Sequence, residues 1–326
     1  MIHRYAVAIG AGCAAAFLFA VSAQTSPLAV ALAYLAPLPI MIATMGWGLD
    51  AGAIAAAASV AGLTLIAEPL SGLLYAASVA IPAWVLAAFA VTPFSRYLAA
   101  RSASAPPHAS VGSIVMLAAA IGMLGAAAVL TTIIVVYHGY GEGAKQVATA
   151  LAALASDAFG EGEEGAAAQA FAETLVRFGP AAIAASTLLM LSVNLYAAAR
   201  STALSHRLQR PWPDLPTSLS LPWPLGVLMI GCAACAYALP APASQYFSIL
   251  VGGLGGAFVL QGLAVAHALS HGLKLRLVML VALYACCLLR AKFTLPVLAA
   301  LGLVDAFAKL RARAAFLPSP KPTTHK

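Results

Sequence analysis

Charged side chains are scarce in this sequence. Of its 326 residues, 8% are Asp, Glu, Lys or Arg and 63% are hydrophobic. A water-soluble domain carries about 25% charged residues to cover its surface. Composition therefore excludes a soluble fold, and a mean hydropathy of +0.95 points to lipid as the solvent. Catalytic motifs are missing as well. The chain has no HExxH, GxSxG or Walker pattern, so zinc proteolysis, serine hydrolysis and ATP binding lack their parts. The run GLVD at 302–305 lacks the second glycine of the Gly-x-Gly-Asp pattern of intramembrane aspartyl proteases. No residue is assigned a catalytic role, and no cofactor or metal is expected.

Cysteine is also sparse. Cys13, Cys232, Cys235, Cys286 and Cys287 all fall in apolar stretches. Cys232 and Cys235 have CxxC spacing, but no second pair or nearby histidine accompanies them. They read as small packing residues, with no disulfide expected. The formal charge of +7 could suggest nucleic acid. The basic residues instead form short runs between long apolar segments, the pattern of topology-setting loops; no nucleic-acid partner is expected.

What the chain does have is apolar length. A helix needs about 20 residues to cross roughly 30 Å of hydrocarbon. Ten candidate segments are present: 5–23, 27–45, 51–67, 71–91, 112–136, 179–199, 222–239, 246–268, 277–289 and 295–307. The last two are short, so the expected fold is an all-α, polytopic transmembrane bundle of eight to ten spans, a single domain over 1–310. The run ending at Val21-Ser-Ala23 resembles a signal-peptidase site, yet more apolar segments follow at once, so an uncleaved first span is expected.

Charge sets the expected orientation. With the N-terminus inside, Arg4, Arg96, Arg101, Arg200, Arg207, Arg210, Lys274, Arg276, Lys309, Arg311, Arg313, Lys321 and Lys326 are cytoplasmic. Only Lys145, Arg177, Arg290 and Lys292 fall outside, as the positive-inside rule requires. Both termini are then cytoplasmic. The tail 317–326 is expected to be disordered.

Two loops are long. The outer one, 137–178, has apolar residues at helical spacing on either side of the acidic break 160–165 (GEGEEG). It reads as two amphipathic helices on the outer surface, or as a lid over a substrate site. The inner loop, 200–221, contains Arg210-Pro-Trp-Pro-Asp-Leu-Pro216, whose prolines forbid a regular helix. Trp212 and Trp223 are expected interfacial anchors in contact with the lipid bilayer.

Polar groups at membrane depth need a reason to be there. Gln261 is the first candidate for a cavity-facing group. Asn194 and His267, nearer the ends of their helices, suit helix-to-helix hydrogen bonding. Asp305 stands four residues before Lys309, an i, i+4 pair near a boundary, with a proton or ion relay as the functional alternative. Asp50 is expected to cap the third span. Gly252, Gly253, Gly255 and Gly256 either pack tightly or let their helix unwind as transporter helices do. Ala8, Gly12, Ala16 and Ala20 form a small-residue stripe through which a membrane partner subunit could dock. The long outer loop divides the candidate spans five and five, the layout of inverted-repeat transporters.

The C-terminal half resembles the domain of unknown function 2232 (YybS-like) family of predicted bacterial multi-pass membrane proteins. Three places carry the resemblance: Leu219-Ser-Leu-Pro-Trp223, Gln261-Gly-Leu-Ala-Val265, and Leu301-Gly-Leu-Val-Asp305 followed by Lys309 and Arg311. It implies a multi-pass protein of the bacterial inner membrane and assigns no activity. A looser likeness to the substrate-binding subunits of energy-coupling-factor vitamin transporters rests on the stripe in the first segment. The expected function is a small-solute transport component, binding at Gln261, Asn194 and the 252–256 glycines. The alternative is a non-catalytic scaffold or assembly factor acting through the cytoplasmic loops.

Reporter fusions test the orientation. Fusions after Arg101 and Arg207 should report a cytoplasmic location and a fusion after Glu163 an outer one; the reverse pattern would invert the topology.

Overall fold

The computed structural model describes residues 2–24, 26–93, 108–159, 163–208 and 210–315. The expectations placed on Arg96, Arg101, residues 160–162 and the tail 317–326 lie outside the described residues. The described chain is helical: α1 (Ile2–Ala20), α2 (Pro27–Tyr34), α3 (Pro37–Trp47), α4 (Leu49–Ile66), α5 (Pro69–Tyr75), α6 (Ile81–Val91), α7 (Val111–Val136), α8 (Tyr140–Phe159), α9 (Glu163–Leu204), α10 (Leu215–Ser218), α11 (Trp223–Ala238), α12 (Ala243–Leu269), α13 (Arg276–Leu289), α14 (Ala291–Ala308) and α15 (Leu310–Ala315).

Local chemistry sets the boundaries. Ser26 and Ser110 accept the amides of Ala29 and Ser113, both at 3.1 Å, and so cap α2 and α7. Proline opens α2, α3 and α5, where its missing N–H costs nothing. Gly48, at φ 101°, turns the chain sharply from α3 into α4. Asp50 does not cap α4 as expected, because Gly48 holds that position. Its carboxylate lies in the first turn and pairs with Arg4 at 2.5 Å, favourably placed against the helix dipole.

Among the described residues, eight stretches are long and apolar enough to cross a membrane: His3–Ala20, Leu28–Trp47, Leu49–Ile66, Pro69–Val91, Val111–Val136, Thr174–Leu204, Ala243–Leu269 and Ala291–Ala308. The two shorter apolar helices are α11 and α13, of 16 and 14 residues, or about 24 and 21 Å. The sequence reading made the last two segments the short ones. The structure lengthens the last, which runs through Pro296 from Ala291 to Ala308. It also joins the second half of the 137–178 loop to the following span. α9 is continuous over 42 residues through Pro180, about 63 Å and twice the hydrocarbon thickness. Its first part therefore projects from the apolar layer, with α8 packed along it.

Close glycine contacts give the helix directions. Gly252 and Gly256 of α12 lie against Ala181 and Ala185 of α9, so these two helices are parallel. Gly226 of α11 meets Phe258 of α12 and Leu303 of α14, and Trp223 stacks on Phe307 at 5.9 Å. Both α12 and α14 thus run opposite to α11. The same end collects Trp47, under the Arg207 guanidinium at 4.7 Å, and the Arg4–Asp50 pair. Arg4, Arg200, Arg207, Arg210, Lys309, Arg311 and Arg313 accordingly gather at this basic end. Lys145, Arg177, Arg290 and Lys292 belong to the other.

The Ala8, Gly12, Ala16 stripe is covered by the protein's own α4. A Cβ on Gly12 would fall 2.6 Å from the Ala55 carbonyl oxygen, and Ala8 and Ala16 are buried. Ala20 is half-buried. The stripe's partner is thus a helix of the same chain rather than a second subunit. Gly252, Gly253, Gly255 and Gly256 lie in unbroken helix, so of the two readings, tight packing and local unwinding, the first describes them. Gly252, Gly253 and Gly256 are sites of close approach to Ala181, Met123 and Leu188.

The tightest of these contacts joins α12 to α14, where Cβ atoms on Gly262 and Gly302 would collide with the Leu298 and Phe258 carbonyls. Gly262→Ala and Gly302→Ala should each lower thermal stability in mild detergent by at least about 1–3 kcal/mol. Gly125→Ala, which meets nothing within 4 Å, should be neutral or gain about 0.5–1 kcal/mol. Equal melting temperatures for all three would refute the packing assignment.

Candidate functional site

The site is built where α12, α14 and the 210–221 segment meet at the basic end. α14 stops at Lys309, which takes a left-handed conformation (φ 51°, ψ 49°). That turn folds α15 back, and Arg311 returns to Asp305 six residues earlier. Its backbone N–H donates to Asp305 Oδ1 at 3.2 Å, and its Nε and Nη2 donate to Oδ2 at 3.1 and 2.8 Å. Lys309, the expected partner of Asp305, is exposed and outside this pair.

The guanidinium has further work. Nη1 donates to the Pro216 carbonyl at 2.7 Å and Nη2 to the Leu219 carbonyl at 2.5 Å. Gln261, fully buried, donates from Nε2 to Asp305 Oδ2 at 2.8 Å and accepts the Leu221 amide on Oε1 at 2.9 Å. Asp305 is 4% exposed. One buried carboxylate, one guanidinium and one amide thus fasten residues 216–221 to two helices. Prolines leave this segment without a regular ladder, so side chains supply the partners its backbone groups need.

Beside this clamp is a cavity of about 640 Å³, within the range of small-molecule sites. Leu189, Val193 and Tyr196 of α9 form one wall, Leu260, Leu263 and Ala264 of α12 another, and Val111, Ile114 and Val115 of α7 a third. Trp212, Pro213, Asp214, Leu215, Pro216 and Leu219 close it, so the clamped segment is itself a wall. Ser192, Arg200, His267 and Tyr284 add polar groups. His267 Nδ1 lies 2.9 Å from the Leu263 carbonyl, and its Nε2 is 3.4 Å from the Tyr284 hydroxyl. Among the described residues no three His, Cys, Asp or Glu side chains come together as metal ligands would.

The sequence candidates are therefore only partly brought together. Gln261 and Asp305 touch, but neither lines the cavity, although Leu260 beside Gln261 does. Asn194 is elsewhere, donating to the Tyr34 and Met190 carbonyls, both at 2.7 Å, and so tying α9 to the end of α2. The 252–256 glycines line no part of the cavity. Trp223 is 55% exposed beside Phe307, whereas Trp212 is half-buried in the cavity wall rather than a free anchor. The α8 hairpin belongs to the opposite end and does not cover this cavity. Sequence reading missed Arg311 as the partner of Asp305, and Tyr196 and Tyr284 as cavity residues. The arginine's signal was six residues from its partner, a spacing that only the Lys309 turn makes close.

A family model described as "Predicted membrane protein (DUF2232)" matches residues 13–306, and the chain belongs to this family. Comparison with curated proteins and with solved structures finds no match.

Removing one partner of a buried ion pair costs about 3–5 kcal/mol, whereas replacing both by apolar groups is often neutral. Asp305→Leu alone should therefore destabilise the detergent-solubilised protein strongly. Asp305→Leu combined with Arg311→Met should recover most of the loss, less the bonds to Pro216 and Leu219. Additive losses in the double variant would contradict the clamp.

Proposed function

We propose that this integral membrane protein of the DUF2232 family is a small-solute transport component whose binding site is the 640 Å³ cavity at the basic end. The observation carrying this reading is the cavity's construction. Three helices with apolar walls surround it, a few polar side chains converge on it, and a clamped segment closes it. That is the composition expected of a site that recognises a small molecule. In this reading the basic end faces the cytoplasm of a bacterial inner membrane, as the charge distribution favours. Asp305 serves as a fixed anion rather than a proton or ion relay, because all four hydrogen bonds to its carboxylate come from Arg311 and Gln261.

A second reading is a scaffold acting through the basic-end loops. It is favoured by the same clamp, which holds exposed Pro211, Asp214 and Thr217 in one geometry. Deletion of cytoplasmic loops that abolished function without affecting solute binding would select it.

Ala264 lies in the cavity wall, and a larger side chain there fills the space. Thermal-shift screening of the purified chain against soluble metabolites and amphiphiles should find a stabilising compound that wild type binds and Ala264→Trp does not. Uptake of that compound into proteoliposomes should be lost in the same variant, while Gln261→Leu should act on stability. A screen without hits, or uptake unaffected by Ala264→Trp, would sink the transport reading.

A further inference from the structure

Among the described residues, Arg210 is a buried cation without an anion. It is 6% exposed, and its Nε and Nη2 have no hydrogen-bond partner among those residues. Its one hydrogen bond is a long 3.5 Å contact from Nη1 to the Ala109 carbonyl, and its guanidinium stands 5.5 Å from the Trp212 ring centre. Burial pulls its pKa below the ordinary arginine value, but a guanidinium stays charged in proteins. Taking such a charge out of water costs several kcal/mol unless a counter-charge is present. The nearest acidic side chain in sequence, Asp214, accepts the Thr217 hydroxyl at 2.8 Å and lines the large cavity instead.

The guanidinium borders a second, smaller pocket of about 230 Å³. His108, Ser110 and Ser218 supply polar groups there. The N-terminus of the 26-residue helix α7 opens at the same place, Val111 being part of the wall. The positive end of the helix dipole there favours an anion. Val111 and Pro213 line both this pocket and the 640 Å³ cavity, so the two adjoin. The larger one opens sideways: Leu189, Val193, Tyr196 and Tyr284 in its wall are each 45–50% exposed. All four belong to apolar helices at membrane depth, where the adjoining medium is acyl chain.

We propose that the two pockets form one site for an anionic phospholipid, with its phosphate at Arg210 and the start of α7, and its acyl chain in the large cavity. The proposal rests on the large cavity being a binding site and names the class of its ligand. A phosphate diester supplies the acceptor oxygens that Nε and Nη2 lack, in the planar fork geometry that arginine favours. The sideways opening admits a chain from the bilayer without passage through water.

The test uses the full chain in neutral detergent with phosphatidylglycerol, phosphatidylcholine or inorganic phosphate added. Phosphatidylglycerol should raise the melting temperature by several degrees, phosphatidylcholine by little, and inorganic phosphate by an intermediate amount. Arg210→Gln should abolish the difference between the two lipids, while Arg313→Gln, exposed and outside both pockets, should retain it. Native mass spectrometry of the wild type provides a readout independent of variant folding; it should show phosphatidylglycerol retained over phosphatidylcholine. Equal stabilisation and equal retention of the two lipids would overturn the proposal, as would a preference that survives Arg210→Gln. A solute dependent on Ala264 but indifferent to Arg210 would overturn this inference and leave the transport reading standing. Arg210-dependent lipid binding without any uptake would do the opposite.

Discussion

An aspartate inside an apolar bundle can stay ionised only if the fold brings charge and hydrogen-bond donors to it. Asp305 meets that demand with one residue, Arg311, and one amide, Gln261. The consequence spreads outward because Arg311 has more donors than the carboxylate consumes. The surplus goes to the carbonyls of Pro216 and Leu219, and Gln261 uses its oxygen on Leu221. A proline-rich segment with a single helical turn of its own is thereby made a fixed wall. The cavity beside it exists as a defined volume because that wall is held.

The helices behind the clamp are held by shape rather than by charge. Lipid supplies no hydrophobic force to drive helices together, so close packing has to substitute. Gly262 against Leu298 and Gly302 against Phe258 bring α12 and α14 to backbone contact. That approach sets Gln261 and Asp305 within 2.8 Å of each other. The glycines and the polar pair are therefore one device: the first fixes the separation at which the second can form.

Much of this was legible in the sequence, and the misses have physical causes. Apolar length alone located the eight stretches of the described residues that are long enough to cross a membrane, because the bilayer sets that length, and it counted α11 and α13 besides. The segment at 277–289 is short as expected, but Arg290 and Lys292 read as boundaries while the structure carries α14 back to Ala291. Apolar length also broke α9 at Gly179-Pro180, although a proline can sit within a helix whose neighbours satisfy the freed carbonyl. Gln261 and Asp305 stood out as polar groups at depth, but their partner did not. Arg311 lies beyond a left-handed residue, and an i, i+4 rule applied across Lys309 picks the wrong cation. The glycine run 252–256 suggested a break; only the positions of α9 and α7 show it to be a contact surface.

Arg210 and Arg311 were read alike from the sequence, as topology-setting charges. The fold treats them in opposite ways. Arg311 is surrounded by a carboxylate and two carbonyls, and its burial is compensated. Arg210 is more deeply enclosed and has one long bond. A fold that spends five donor contacts on one arginine and leaves its neighbour at the same end nearly bare is not short of acceptors in general. Asp214 is four residues from Arg210 yet is turned to Thr217. A purely structural arginine would gain from pairing with it. Among the described residues the contacts of Arg210 are the Ala109 carbonyl and the Trp212 ring, neither of which is a counter-charge, and that is what the proposed anion adds. The helix dipole of α7 points its positive end at the same pocket, which makes a cation or neutral occupant the worse fit. Two positive features converge on one pocket, with no negative group among its described lining, and that favours the proposed anion there.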